Sequence, residues 1–242
     1  MDDEHDPLPT TLGTADAYRR SAFLAIPFLL LVPLAYALWF HLWGVSLSWL
    51  AIGAGALGWY VAFVLRTPVV LIARLALRTP ERMQPWIVAA SGPAEESVRL
   101  ITLLLVGSAL PIALSVGLGW TTIEIVYTII NTLAIAWLLR RTDDRSRRSL
   151  ALLRSMGLGN LLSPTAPALS VIERIAVSGL HIGFTLLIAW QPLLVLVTIP
   201  LHSVANLVSL RLLRRSAVLS AVGWVLIGAA ILLAGLAVWG LL

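Results

Sequence analysis

Residues 21–43 read SAFLAIPFLLLVPLAYALWFHLW, a stretch without a single Asp, Glu, Lys or Arg. A helix rises about 1.5 Å per residue, so a run of this length crosses the roughly 30 Å hydrocarbon core of a bilayer. The same texture returns along the chain of 242 residues, of which 59% are hydrophobic and 12% charged. A soluble domain carries about a quarter charged residues, so a polar-surfaced globule is excluded. The fold class predicted is all-α, a polytopic membrane bundle of about seven transmembrane helices.

Working outward from 21–43, a second apolar block spans 48–65 and a third runs from about Trp86 to Val116. The fourth covers Thr121 to Leu139, and the fifth follows the loop 140–168 and ends near Trp190. The sixth begins at Pro192 and ends at Arg211 to Arg215; Ala217 to Leu242 makes the seventh. Between the second and third, residues 66–86 form a charged connector whose stretch Val69 to Leu77 suits an amphipathic helix lying along the interface. Residues 1–20, with Asp2, Asp3, Glu4, Asp6 and Asp16, read as a disordered acidic tail, and 21–242 as one transmembrane domain with a catalytic-like core at about 86–215.

All 17 basic residues are Arg, and 15 of them fall at 19–20, 66–82, 140–154 and 211–215, on alternate loops. Cytoplasmic loops accumulate Arg, so the bias predicts a cytoplasmic N-terminus and an external C-terminus. The pI near 10.7 is therefore a topology signal; nucleic-acid binding needs clustered positive charge on a water-exposed face, and no nucleic-acid partner is expected. With no Cys, disulfides, thiol catalysis and cysteine zinc sites are excluded together. The expected location is a prokaryotic cell membrane, with the lipid bilayer as the immediate partner.

Six charges are not accounted for by any loop: Glu95, Glu96, Arg99, Glu124, Glu173 and Arg174, with His181 and His202 beside them. Charges inside a membrane are costly and mark function. Four acids against two Arg leave two carboxylates without a counter-charge, as an acid/base catalyst or proton carrier requires. Helical spacing arranges polar residues in stripes: Ser91, Glu95, Arg99 and Thr102; Glu124, Thr128 and Asn131; Arg174, Ser178, His181 and Thr185; Thr198, His202, Asn206 and Ser209. Four such stripes avoid lipid only by facing one another.

Peptide hydrolysis inside a membrane has few solutions. No His-Glu-x-x-His run is present, and every Asp lies in the tail or at 143–144, which removes the zinc-helix and aspartyl-dyad routes. Ser178-Gly179 with His181 is a weak serine–histidine candidate. What remains is a glutamate base, two histidines and an amide able to donate to an oxyanion.

Pro93-Ala94-Glu95-Glu96-Ser97-Val98-Arg99, a later helix with His181, and His202-Ser203-Val204-Ala205-Asn206 resemble the three motifs of the CPBP (CAAX protease and bacteriocin-processing, or Abi) intramembrane endopeptidases. Gly117-Leu118-Gly119 to Glu124 and Glu173-Arg174 are similar to its YhfC-like branch, and more distantly to PrsW-type proteases. The resemblance covers roughly residues 60–215. It implies Glu95 as the base that activates water, His181 as a holder of that water, and His202 with Asn206 as the oxyanion site. Glu96 and Arg99 would support Glu95, with Glu124, Glu173 and Arg174 as further supporting residues. The implied substrate is a membrane-associated protein or peptide. No cofactor is expected; two His and a Glu could bind Zn²⁺, but their long separations in sequence make no compact ligand motif. The same residues admit two other readings: a non-catalytic membrane scaffold of this fold, or a proton-coupled transporter.

Overall fold

The computed structural model describes residues 12–77 and 79–242. Among these residues ten α-helices follow in order: α1 Leu12–Leu42, α2 Trp49–Leu65, α3 Thr67–Ala76, α4 Pro80–Ala89, α5 Ser91–Val106, α6 Leu110–Leu138, α7 Asp144–Ser155, α8 Ala166–Trp190, α9 Val195–Arg215 and α10 Ala217–Val238. No strand occurs among the described residues. Six helical stretches there are long and apolar enough to cross a membrane: 13–42, 49–76, 110–138, 166–190, 192–215 and 217–238. The protein is an all-α membrane bundle.

The seventh crossing expected from the third apolar block divides into α4 and the 16-residue α5. The chain reverses at Gly107, whose φ of 105° is open to glycine, and Pro111 lies in the first turn of α6. The boundary expected near 117–120 is thus displaced. Gly117 and Gly119 lie inside α6 because they are contact surfaces: a side chain at Gly119 would strike the backbone of Ile52, and one at Gly117 would press on Ile182. Gly55 meets Val116 and Gly228 meets Ala176 in the same way, so close backbone approach draws α2 onto α6 and α10 onto α8. The acidic tail also ends sooner than expected. Residues 1–11 lie outside the described residues, while 12–20 open α1, where Ala15 and Tyr18 are buried against Leu139, Leu150 and Leu162.

Cross-contacts give the helix directions. Ile52 meets Gly119, and Trp59 meets Tyr127, so α2 and α6 run parallel. Gly58 meets Thr102, and Arg66 meets Glu95, so α5 returns against them. Glu96 reaches His202 and Ser91 reaches Asn206, so α9 runs against α5. The Arg-rich ends of α2, α6 and α9 consequently gather at one end of the bundle. In the 18-residue apolar windows of 110–138 and 166–190, 56% and 67% of the residues are buried, against 28% in that of 217–238. The polar residues therefore collect on α5, α6, α8 and α9, where helices rather than lipid surround them.

Candidate functional site

The sequence of α5 places Ser91, Glu95, Arg99 and Thr102 on one face, and all four are buried. Glu95 and Glu96, being neighbours, point in different directions and meet different partners.

Glu96 and Arg99 are both 0% exposed. The Arg99 Nε donates to Glu96 Oε2 at 3.1 Å and one terminal nitrogen to Oε1 at 3.2 Å, a bidentate fork. That same nitrogen donates to His181 Nδ1 at 2.9 Å, and the other donates to the Thr185 hydroxyl at 2.8 Å and the His181 carbonyl at 3.2 Å. The guanidinium also lies over the Trp120 ring, 4.1 Å from its centroid. A guanidinium can only donate, so Nδ1 of His181 is an acceptor and its ring proton sits on Nε2. That Nε2 lies 2.6 Å from Glu124 Oε2, in contact but not in line for a hydrogen bond. The other Glu124 oxygen accepts from Arg174 at 2.5 Å.

Histidine 202 is held from behind. Its Nδ1 is 2.6 Å from Glu96 Oε1, and because Glu96 already accepts from Arg99, the imidazole Nδ1–H is the donor. The far nitrogen, Nε2, then faces Glu95 Oε1 at 3.8 Å. Glu95 Oε2 lies 3.9 Å from His181 Nδ1 and accepts from the Trp120 indole at 3.1 Å. Arg66 donates to Glu95 Oε1.

The structure thus brings together seven of the nine residues singled out in sequence: Glu95, Glu96, Arg99, Glu124, Arg174, His181 and His202. The other two stand apart. Asn206 donates to Ser91 Oγ at 2.6 Å, and Glu173 accepts from the Ser220 hydroxyl at 2.7 Å. Two expectations change. Glu96 and Arg99 brace the two histidines instead of Glu95. Of the four carboxylates, three have a guanidinium partner, leaving only Glu173 without one among the described residues. The sequence count put Arg66 with the topology arginines, yet it sits at the α2–α3 corner, where it ends one helix and starts the next, and turns inward. Trp120 was also missed; its signal was an aromatic N–H donor beside Gly119 on the helix that carries Glu124.

A cavity of about 810 Å³ reaches this cluster. Glu95, Glu124, Glu173, His181, His202 and Asn206 line its interior, and Leu158, Leu161, Leu213 and Arg74 line its course toward the Arg-rich end. Glu95, His181 and His202 each offer a ligand atom, all within 4.8 Å of one another. A cation there would face Arg66 on Glu95 and Arg99 on His181 Nδ1. The charge of Glu95, Glu96 and Glu124 is already matched by three guanidinium groups, so a cation bound by Glu95, His181 and His202 would compete with Arg66 and Arg99 for its ligands. No protein-family model, curated protein or solved structure matches the chain.

Proposed function

We propose that the protein is an intramembrane endopeptidase that hydrolyses a peptide bond of a membrane-associated protein or peptide with water activated by Glu95. The observation that carries the reading is the placement of Glu95 between two oriented imidazoles, 3.8 Å from His202 Nε2 and 3.9 Å from His181 Nδ1, in a cavity large enough for a peptide segment. A water at the apex above Glu95 Oε1 and His202 Nε2 touches both. Glu95 takes its proton as the oxygen adds to the scissile carbonyl carbon. The C–N bond then breaks, and the leaving nitrogen receives from Glu95 the proton that Glu95 took from water. Glu96 fixes the tautomer and tilt of His202, a carboxylate-imidazole arrangement that general-base sites use widely. Under the Arg-bias orientation the cavity opens to the cytoplasmic side of a prokaryotic cell membrane. The similarity of the Glu95, His181 and His202-x-x-x-Asn206 pattern to the CPBP intramembrane proteases supports the same reading.

Substituting Glu95→Gln keeps the shape and removes the base. Cleavage of a membrane-protein substrate, found by comparing membrane proteomes of cells carrying either form, is expected to fall by about 10²–10⁴-fold; unchanged processing would refute the proposal. Chelation of divalent metals is expected to leave turnover of that substrate unchanged, and loss of activity restored by Zn²⁺ would overturn the metal-free mechanism.

A second reading is favoured by one observation. Two ion pairs, Arg66–Glu95 and Glu124–Arg174, flank His181, whose ring nitrogens lie 3.9 Å from Glu95 and 2.6 Å from Glu124, a layout that a water between Glu95 and His181 would complete as the proton relay of a coupled transporter. Substrate uptake driven by a pH gradient in vesicles, abolished by Glu95→Gln, selects it.

A further inference from the structure

We propose that Glu173 is the binding partner of a basic side chain, Lys or Arg, which the substrate carries three or four residues from the scissile bond on the flank nearer the cavity mouth. That the ligand is a peptide with a scissile bond rests on the endopeptidase reading; the cation subsite rests on the geometry that follows.

Glu173 lies on α8 and lines the cavity. One of its oxygens accepts from the Ser220 hydroxyl at 2.7 Å, and Ser220 stands 3.3 Å from the Ser209 hydroxyl. The other oxygen has no partner among the described residues and, unlike the Nε–H groups of Arg66 and Arg174, is not sealed from water. The three guanidinium groups of the cluster are engaged elsewhere, Arg66 by Glu95, Arg99 by Glu96 and Arg174 by Glu124. Arg74, the remaining guanidinium on the lining, forms no ion pair with Glu173 among the described residues. One carboxylate of the four is therefore left over, and it stands on the cavity wall with a free face. A charge inside a membrane protein calls for a partner.

The surroundings suit a long basic side chain. Trp224, one turn beyond Ser220 on α10, lines the same cavity and shares a buried cluster with Val177, one turn beyond Glu173 on α8. A carboxylate, two hydroxyl groups and an indole together accommodate an aliphatic stem that ends in an ammonium or guanidinium group. Spacing sets the register. Glu173 and His181 are eight residues apart on α8, a rise of about 12 Å, which an extended chain covers in three or four residues at about 3.3 Å each. Because α8 starts at the Arg-rich end, the subsite lies on the mouth side of the reaction centre. Membrane proteins accumulate Lys and Arg at the cytoplasmic border of their crossings. A peptide entering from that side brings a basic residue to the height of Glu173 as its scissile bond reaches Glu95.

The test uses the full-length chain in micelles and fluorescein-labelled Ala/Leu peptides that differ at one position, which is Lys, Gln or Glu. Anisotropy on mixing reports binding, and mass spectrometry afterwards reports cleavage. The Lys probe is expected to bind about tenfold more tightly than the Gln probe, and the Glu probe most weakly. Glu173→Gln, which keeps an acceptor for Ser220, is expected to abolish that order, and Glu173→Lys to reverse it in favour of the Glu probe. Shifting the Lys along the peptide is expected to move the cleaved bond with it, three or four residues away. The probe ranking and the cleavage register are both read on the unaltered chain, so the proposal can fail even where a variant does not fold. Equal binding of the Lys and Gln probes, a ranking that survives Glu173→Gln, or no binding of any probe would overturn it and leave water or a proton to satisfy the carboxylate. n-Butylamine binding as tightly as the Lys probe would assign the subsite to small amines and overturn the peptide assignment. Cleavage that ignores the Lys would refute the subsite and leave the endopeptidase reading standing; a Lys preference that depends on Glu173, without cleavage, would do the reverse.

Discussion

Glu95 and Glu96 are adjacent in sequence, both are carboxylates and both are buried, yet they sit in two contrasting regions. The Glu96 region is closed: a fully buried bidentate ion pair with Arg99, fastened to His181, His202 and Thr185. The Glu95 region is open: its oxygens border the cavity, and its cation comes from Arg66, which is 21% exposed at a helix corner. The difference separates support from chemistry. A group braced on every side keeps its neighbours in place, whereas a group with one side on a cavity is free to meet a reactant.

Replacing Arg99 by Ala breaks this contrast most severely. It strands Glu96 as a buried unpaired charge and loosens both histidines, and breaking such a pair costs about 3–5 kcal/mol. Thermal unfolding in micelles, compared with Glu95→Gln, which keeps an acceptor for Trp120 and frees only the 21% exposed Arg66 and is expected to cost less, checks the ranking. Similar losses for the two variants would erase the proposed division. Next in size, Trp120→Phe removes the indole donor to Glu95 while keeping a ring under Arg99. It is expected to lower turnover about fivefold and, because the indole is fully buried, to lower the unfolding midpoint by less than Arg99→Ala does.

The smallest effect lies far from both glutamates. Asp143 caps α7 and, held by the Arg141 guanidinium and by the N–H and hydroxyl of Ser146, has its carboxyl well below the usual range. A depressed folded value means that the stabilisation is present above the unfolded value and is lost as pH falls through the folded one. Fraying of α7, followed by amide exchange or limited proteolysis, is therefore expected to begin as pH drops below about 4, and Asp143→Ala should remove that dependence.

Much of the bundle was legible because apolar length and Arg bias act on whole segments. The inward stripes on α5 and α8 were legible as well, since helical spacing alone puts Arg99 with Glu95, and His181 with Thr185. Two things escaped. Gly117 and Gly119 fell between the third and fourth apolar blocks because glycine serves both reversal and close packing, and only the position of α2 distinguishes the uses. Arg66 read as a loop charge because its sequence neighbours are connector residues; its inward turn depends on the corner between α2 and α3, which no periodicity encodes. The pairing of Glu96 with His202 spans 106 residues, beyond any local pattern.

The shortness of α5 bears on how it is held. Sixteen residues reach about 24 Å, less than the roughly 30 Å of hydrocarbon in a bilayer, and Ile101, Leu104 and Leu105 on this helix are exposed. Taken alone, α5 is therefore too short to cross the bilayer, and the glutamate pair is carried by a helix that ends at the Gly107 reversal instead of being anchored in both interfaces.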